Sequence, residues 1–96
     1  MELKGTYKLS YTLDKEPEEL LLTIELKQVD GIPKKGQNVW EGIAMLNGHS
    51  YEEETLPWCV NAKLACERIG KKLRDEIKAN AKAENKSFRI KNETIK

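Results

Sequence analysis

The chain has 96 residues, of which 39% are apolar and 34% charged, with a formal net charge of +1. That length fits one domain with one modest core, and apolar residues set in periodic blocks exclude a disordered chain. The near-neutral balance excludes the strongly basic profile of a dedicated DNA-binding domain. No run approaches the ~20 apolar residues of a membrane helix, and the N-terminal residues lack a signal-peptide pattern, so the expected location is cytoplasmic.

Residues 3–13 alternate: Leu3, Tyr7, Leu9, Tyr11 and Leu13 fall on one face, with Lys4, Thr6, Lys8, Ser10 and Thr12 on the other. That is the period of a half-buried strand. Asp14 to Glu19 reads as a charged turn broken by Pro17. Leu20, Leu22, Ile24 and Leu26 then repeat the alternation and predict a second strand, paired with the first as a hairpin. Asp30 to Asn38, rich in glycine and lysine, reads as a long loop.

Val39 to Leu46 predicts a third strand that is apolar on both faces. Trp40, Gly42, Ala44 and Leu46 lie on one side, and Val39, Ile43 and Met45 on the other. Such a strand takes a central position or has its second face covered. Asn47-Gly48 signals a type I′ hairpin, because both central residues need positive φ. His49 to Glu54 reads as a short acidic edge strand. Ser50 and Glu53 also have the spacing of a capping box, but Pro57 would interrupt a helix that began there.

A long helix is predicted from about Pro57 to about Ala83. Trp58, Cys59, Ala62, Cys66, Ile69, Leu73 and Ile77 gather on one side at 100° per residue, and Gly70 beside them would allow close approach to a strand. On this reading Leu73→Ala costs about 2–4 kcal/mol. Cys59 and Cys66, about 10 Å apart along one helix, are too distant to pair and should stay reduced. Phe88 and Ile90 alternate with Ser87, Arg89 and Lys91, predicting either a short fifth strand or a loosely docked tail. The expected architecture is therefore α+β: an antiparallel β-meander of about four strands, then one long helix packed on one face. The expected domain spans residues 1–91, with 92–96 as a tail.

No pattern in the chain assembles catalytic chemistry. The glycines lack the spacing of a phosphate loop, and one histidine with two cysteines falls short of a zinc site. His49 beside a tight turn reads as a solvated residue, and Cys66 as a small core residue. No metal or other cofactor is expected. Glu52, Glu53 and Glu54 serve to guard a sheet edge.

Two surfaces remain as candidates. Val60 and Leu64 lie away from the core stripe and, with Val39 and Met45 of the two-faced strand, suggest a contact surface for a protein partner or a second copy of the chain. Arg68, Lys71, Arg74, Lys78 and Lys82 cluster on the outer face of the helix, and Lys34 and Lys35 of the long loop extend them. That set suits phosphate contacts, although i,i+4 pairs such as Glu67 with Lys71 also suit an ordinary solvated face and no aromatics are interleaved for base stacking. A sheet followed by a helix recurs in many small phage, plasmid and toxin–antitoxin proteins, an analogy of fold that carries no function. The expectation is a small non-catalytic protein-interaction or regulatory module, with a homodimer as one form of it because the apolar surface suits a second copy. The alternative is a nucleic-acid-binding protein using the basic helix face.

Overall fold

Alternating side chains make β1 (Lys4–Leu13) and β2 (Glu16–Gln28) into one long antiparallel hairpin, in a computed structural model that describes residues 3–28, 40–52 and 61–96. The register sets Tyr7 opposite Leu22, Leu9 opposite Leu20, and Gly5 opposite Ile24. All the apolar residues of this set share one face, and Tyr7, Leu9, Leu22 and Ile24 are fully shielded from solvent. The connection is tighter than the charged run suggests. Only Asp14 and Lys15 turn, with φ of 50° and 70°, the positive pair of a two-residue type I′ loop. Glu16 to Glu19 belong to β2. Pro17 is tolerated there because it forms a non-hydrogen-bonded pair with Thr12 and its nitrogen faces away from β1. On that other side, β3 pairs only from Leu22 onward.

β3 (Trp40–Leu46) lies antiparallel to β2, and the three-residue β4 (His49–Tyr51) completes that side. Asn47 and Gly48 have φ of 50° and 83°, as their dipeptide predicts. Each type I′ turn also grips the next strand along. Asn47 Oδ1 accepts from the Leu21 amide (2.8 Å), and its own amide donates to the Leu21 carbonyl. Asp14 does the same to Ser87.

The helix α1 (Ala62–Ala83) starts later than its apolar stripe implies. Asn61 is extended (φ −150°, ψ 111°), so the helix does not pass through it, and its side chain caps the Leu64 amide. This is the usual N-cap arrangement; Trp58 and Cys59 lie outside the described residues. At the other end Asn85 is left-handed (φ 57°). Lys86 N donates to Ala81 O and Asn85 N to Lys82 O, the paired bonds of a Schellman motif.

Ala62, Ala65, Cys66, Ile69 and Gly70 are buried against the sheet. The small residues among them permit very close approach to β1. A Cβ built on Gly5 falls 2.6 Å from the Ala62 carbonyl oxygen, and one on Gly70 falls 2.3 Å from the Tyr7 ring. Leu73 and Ile77 are only partly buried, at the margin of the core. Leu73→Ala should therefore cost about 1–2 kcal/mol, below the range for a fully enclosed leucine. Urea denaturation checks this, and a loss above about 3 kcal/mol would place Leu73 in the centre of the core.

β5 (Phe88–Ile95) returns antiparallel to β1, giving a five-stranded sheet of order β4-β3-β2-β1-β5. It extends past the expected domain end into residues 92–95. Ile90 pairs with Tyr11 and Asn92 with Ser10, so Lys91 is left over as a bulge. Phe88 packs against Tyr11 with ring centroids 5.3 Å apart.

Candidate functional site

The helix covers one face of the sheet, and no described element lies on the other. Along β1 that open face carries Lys4, Thr6, Lys8, Ser10 and Thr12; along β2 it carries Glu19, Leu21, Thr23, Glu25 and Lys27. Ile43 and Met45 project from β3 on the same side, because Ala44 between them is buried toward the helix. Leu21, Ile43 and Met45 remain 39%, 40% and 39% exposed. Met45 pairs with Thr23, which places it diagonally across from Leu21, and Ile43 pairs with Glu25. Diagonal neighbours on one face lie ~7–8 Å apart, within reach of large side chains. The three therefore form one apolar patch in the middle of the open face, flanked by Lys4, Glu25 and Lys8. Lys8 Nζ lies 3.8 Å from Glu19 Oε1.

The expected partner surface is not assembled as the sequence implies. Leu64 is 61% exposed, but it stands on the helix, across the sheet from Met45, so the two share no surface. Val39 and Val60 lie outside the described residues. The patch instead joins Met45 to Ile43 and Leu21. Ile43 is legible in the two-faced alternation of β3. Leu21 sits within the run Leu20-Leu21-Leu22, where one residue necessarily faces away from the core.

The basic helix set is also divided. Arg68, Lys78 and Lys82 are exposed. Lys71 donates to Glu67 Oε1 at 2.9 Å, one turn earlier. Arg74 does not belong to the outer face, contrary to the sequence reading. It lies at the flank of the buried stripe, turned toward β5, where Nη1 donates to Glu93 Oε2 at 2.8 Å while Nε donates to Asp75. Lys34 and Lys35 lie outside the described residues.

Glu93 receives a second bond. The Tyr7 hydroxyl donates to the same Oε2 at 2.6 Å. Three elements meet at this carboxylate: β1 through Tyr7, α1 through Arg74 and β5 through Glu93. The Tyr7 hydroxyl bond, then the Arg74 guanidinium, hold the Glu93 carboxyl below its ordinary range, against the opposing effect of burial. Burial first, and the hydrogen bond to Glu93 second, push the Tyr7 phenol well above its ordinary value. The shared carboxylate ties the three elements together.

Among the described residues no cluster of metal-ligating side chains forms, and no described helix is long and apolar enough to cross a membrane. No family model, curated protein or solved structure matches the chain. What the protein does must therefore be argued from its surfaces. Cys66 is fully buried, its Sγ 3.9 Å from the Leu22 carbonyl oxygen, and His49 is exposed on β4.

Proposed function

We propose that this is a non-catalytic protein-interaction module whose binding surface is the open sheet face, and that the face pairs with the same face of a second copy. The observation that carries the reading is the contiguous exposure of Leu21, Ile43 and Met45 at the middle of that face. Single exposed apolar residues are ordinary; three large ones side by side, rimmed by charges, have the anatomy of an interface core and rim.

The choice of a second copy rests on charge and on the sheet edges. The face carries both signs close together, Lys4, Lys8 and Lys27 with Glu19 and Glu25, so it complements itself better than it complements a partner of one sign. Edge-to-edge association is disfavoured. β4 is only three residues long, and β5 is bulged at Lys91 with Arg89 beside it, the usual means of blunting an edge. Sheet-on-sheet packing through the open face then offers a route to a symmetric dimer.

Sedimentation of the unmodified chain should show a concentration-dependent dimer with a dissociation constant below about 100 μM. Met45→Glu should leave it monomeric with an unchanged circular dichroism spectrum, because a charge would be buried in the interface while the free monomer exposes it to water. A monomer at all concentrations up to that range would overturn self-association, and a Met45→Glu dimer would remove the open face from it.

The nucleic-acid reading loses support from the ties of Arg74 and Lys71 to acidic partners. The cations of the outer helix face are fewer than the sequence implies.

A further inference from the structure

At the far end of the β1–β2 hairpin, a half-open cleft of about 730 Å³ lies over the turn and the start of β5. Thr12, Asp14 and Lys15 line it from the hairpin end, and Ser87, Arg89 and Lys91 from the adjoining strand. The side chains of Lys15, Arg89 and Lys91 have no hydrogen-bond or ion-pair partner among the described residues, whereas the one carboxylate in the lining, Asp14, already accepts the Ser87 amide through Oδ1. The cleft therefore presents three uncommitted cations and the Thr12 and Ser87 hydroxyls against one partly engaged acid. Its position is fixed by two backbone features. The β5 bulge falls at Lys91, and bulges re-aim side chains where they occur. With Arg89 and Lys91, Ile90 also lines the cleft, so three consecutive residues of a strand contribute to one concavity.

The second feature is Lys15. It holds φ of 70° at the second position of a type I′ turn, where glycine is strongly favoured. The other such turn among the described residues has Gly48 at that position. A lysine there strains the turn, and what it adds is a cation at the mouth of the cleft.

We propose that this cleft binds a phosphate group, with Lys15, Arg89 and Lys91 meeting its charge and Thr12 donating a hydroxyl hydrogen bond. Arginine with lysine and hydroxyl donors is the chemistry that phosphate oxygens require. The phosphate source is either a small phosphorylated molecule or a nucleic-acid strand, and the volume, within the usual range for ligand pockets, accommodates either a diphosphate or one to two nucleotides of a strand.

The experiment titrates isotopically labelled full-length protein at low salt with pyrophosphate and, separately, with a short single-stranded oligonucleotide, following backbone amide resonances. Saturable shifts confined to residues 12–15 and 87–91 are expected with at least one probe. The tighter of the two identifies the source. Arg89→Gln should weaken binding about tenfold, the value of one lost charge-assisted bond. Lys15→Gly separates ligand binding from stability, because the two should move in opposite directions. It should raise the melting temperature by about 4 °C, by relieving the strained turn, while weakening binding about tenfold. The absence of saturable shifts up to about 10 mM of either probe would overturn the proposal. So would binding left unchanged by both Arg89→Gln and Lys15→Gly, which would leave these cations only the role of guarding the sheet edge.

Discussion

Gly70→Ala should destabilise the protein by at least about 2 kcal/mol, lowering the melting temperature by roughly 8 °C or more. The sign is what makes the result informative. Alanine in a helix interior is favoured over glycine by about 1 kcal/mol, so helix propensity alone predicts a gain. The opposite is expected because the added Cβ would stand 2.3 Å from Cγ of Tyr7, and within 2.6 Å of both Cδ atoms. Those atoms belong to the base of a fully buried ring, whose hydroxyl is fixed by Glu93, so the ring has little room to turn aside. The helix would have to lift from β1. Gly5→Ala should be at least as costly, because its Cβ would meet the backbone of Ala62 and Lys63, and backbone yields less readily than a side chain. Both variants are compared with the unmodified chain by thermal and urea denaturation. A stability equal to or above that of the unmodified chain for Gly70→Ala would mean that the helix stands farther from β1 than described.

Those two glycines also show where sequence patterns inform and where they stop. Alternation over residues 3–13 and 20–26 identifies the two long strands, because period 2 with one buried face admits few other readings. Gly70 beside the apolar stripe implies a close approach, and Asn47-Gly48 names its own turn type. The Asp14-Lys15 turn is hidden because lysine is a poor residue for it and Pro17 suggests a break that open-edge pairing makes unnecessary. The start of the helix is misplaced because the apolar period continues upstream through Trp58 and Cys59, while the deciding signal is the side chain of Asn61. The end of β5 is lost for another reason. The bulge at Lys91 switches parity, so Phe88 and Ile90 share the covered face with Glu93 and Ile95, and no simple alternation spans the strand.

The surfaces were less legible than the fold. A helical wheel places Arg74 near the boundary between the stripe and the outer face, and composition favours assigning it to solvent. Its partner Glu93 is 19 positions away on a strand whose register the bulge obscures. Likewise Leu64 and Met45 both read as surplus apolar residues, but only the docking side of the helix decides that they point to opposite sides of the molecule. The cleft depends on the approach of residues 12–15 to residues 87–91, which the β1–β5 pairing creates and no local motif announces.

Tyr7→Phe should give a stability difference that reverses with pH. At neutral pH the phenylalanine variant should be less stable by about 1.5 kcal/mol, the low end for a hydrogen bond to a charged acceptor, since Arg74 still satisfies Glu93. The Tyr7 phenol is raised far above its ordinary value of 10.0, by burial first and by Glu93 second. Its contribution is therefore complete below pH ~10 and falls as pH rises above that value, where the unfolded chain releases a proton that the folded chain keeps. The slope for one such group is about 1.4 kcal/mol per pH unit. Between pH 10 and pH 12 the unmodified protein should thus lose more than 2 kcal/mol relative to Tyr7→Phe, and the two stability curves should cross near pH 11. Lysine titration acts on both proteins and cancels in the comparison. On the acid side the depressed Glu93 carboxyl acts in the opposite direction: its contribution is present above the ordinary value of 4.5 and is lost as pH falls through the lower folded value. Urea denaturation of both proteins from pH 6 to pH 12 checks the alkaline limb. Parallel curves above pH 10 would show that the phenol ionises as freely in the folded protein as in the unfolded chain, and that Tyr7 does not hold β5 and the helix together through Glu93.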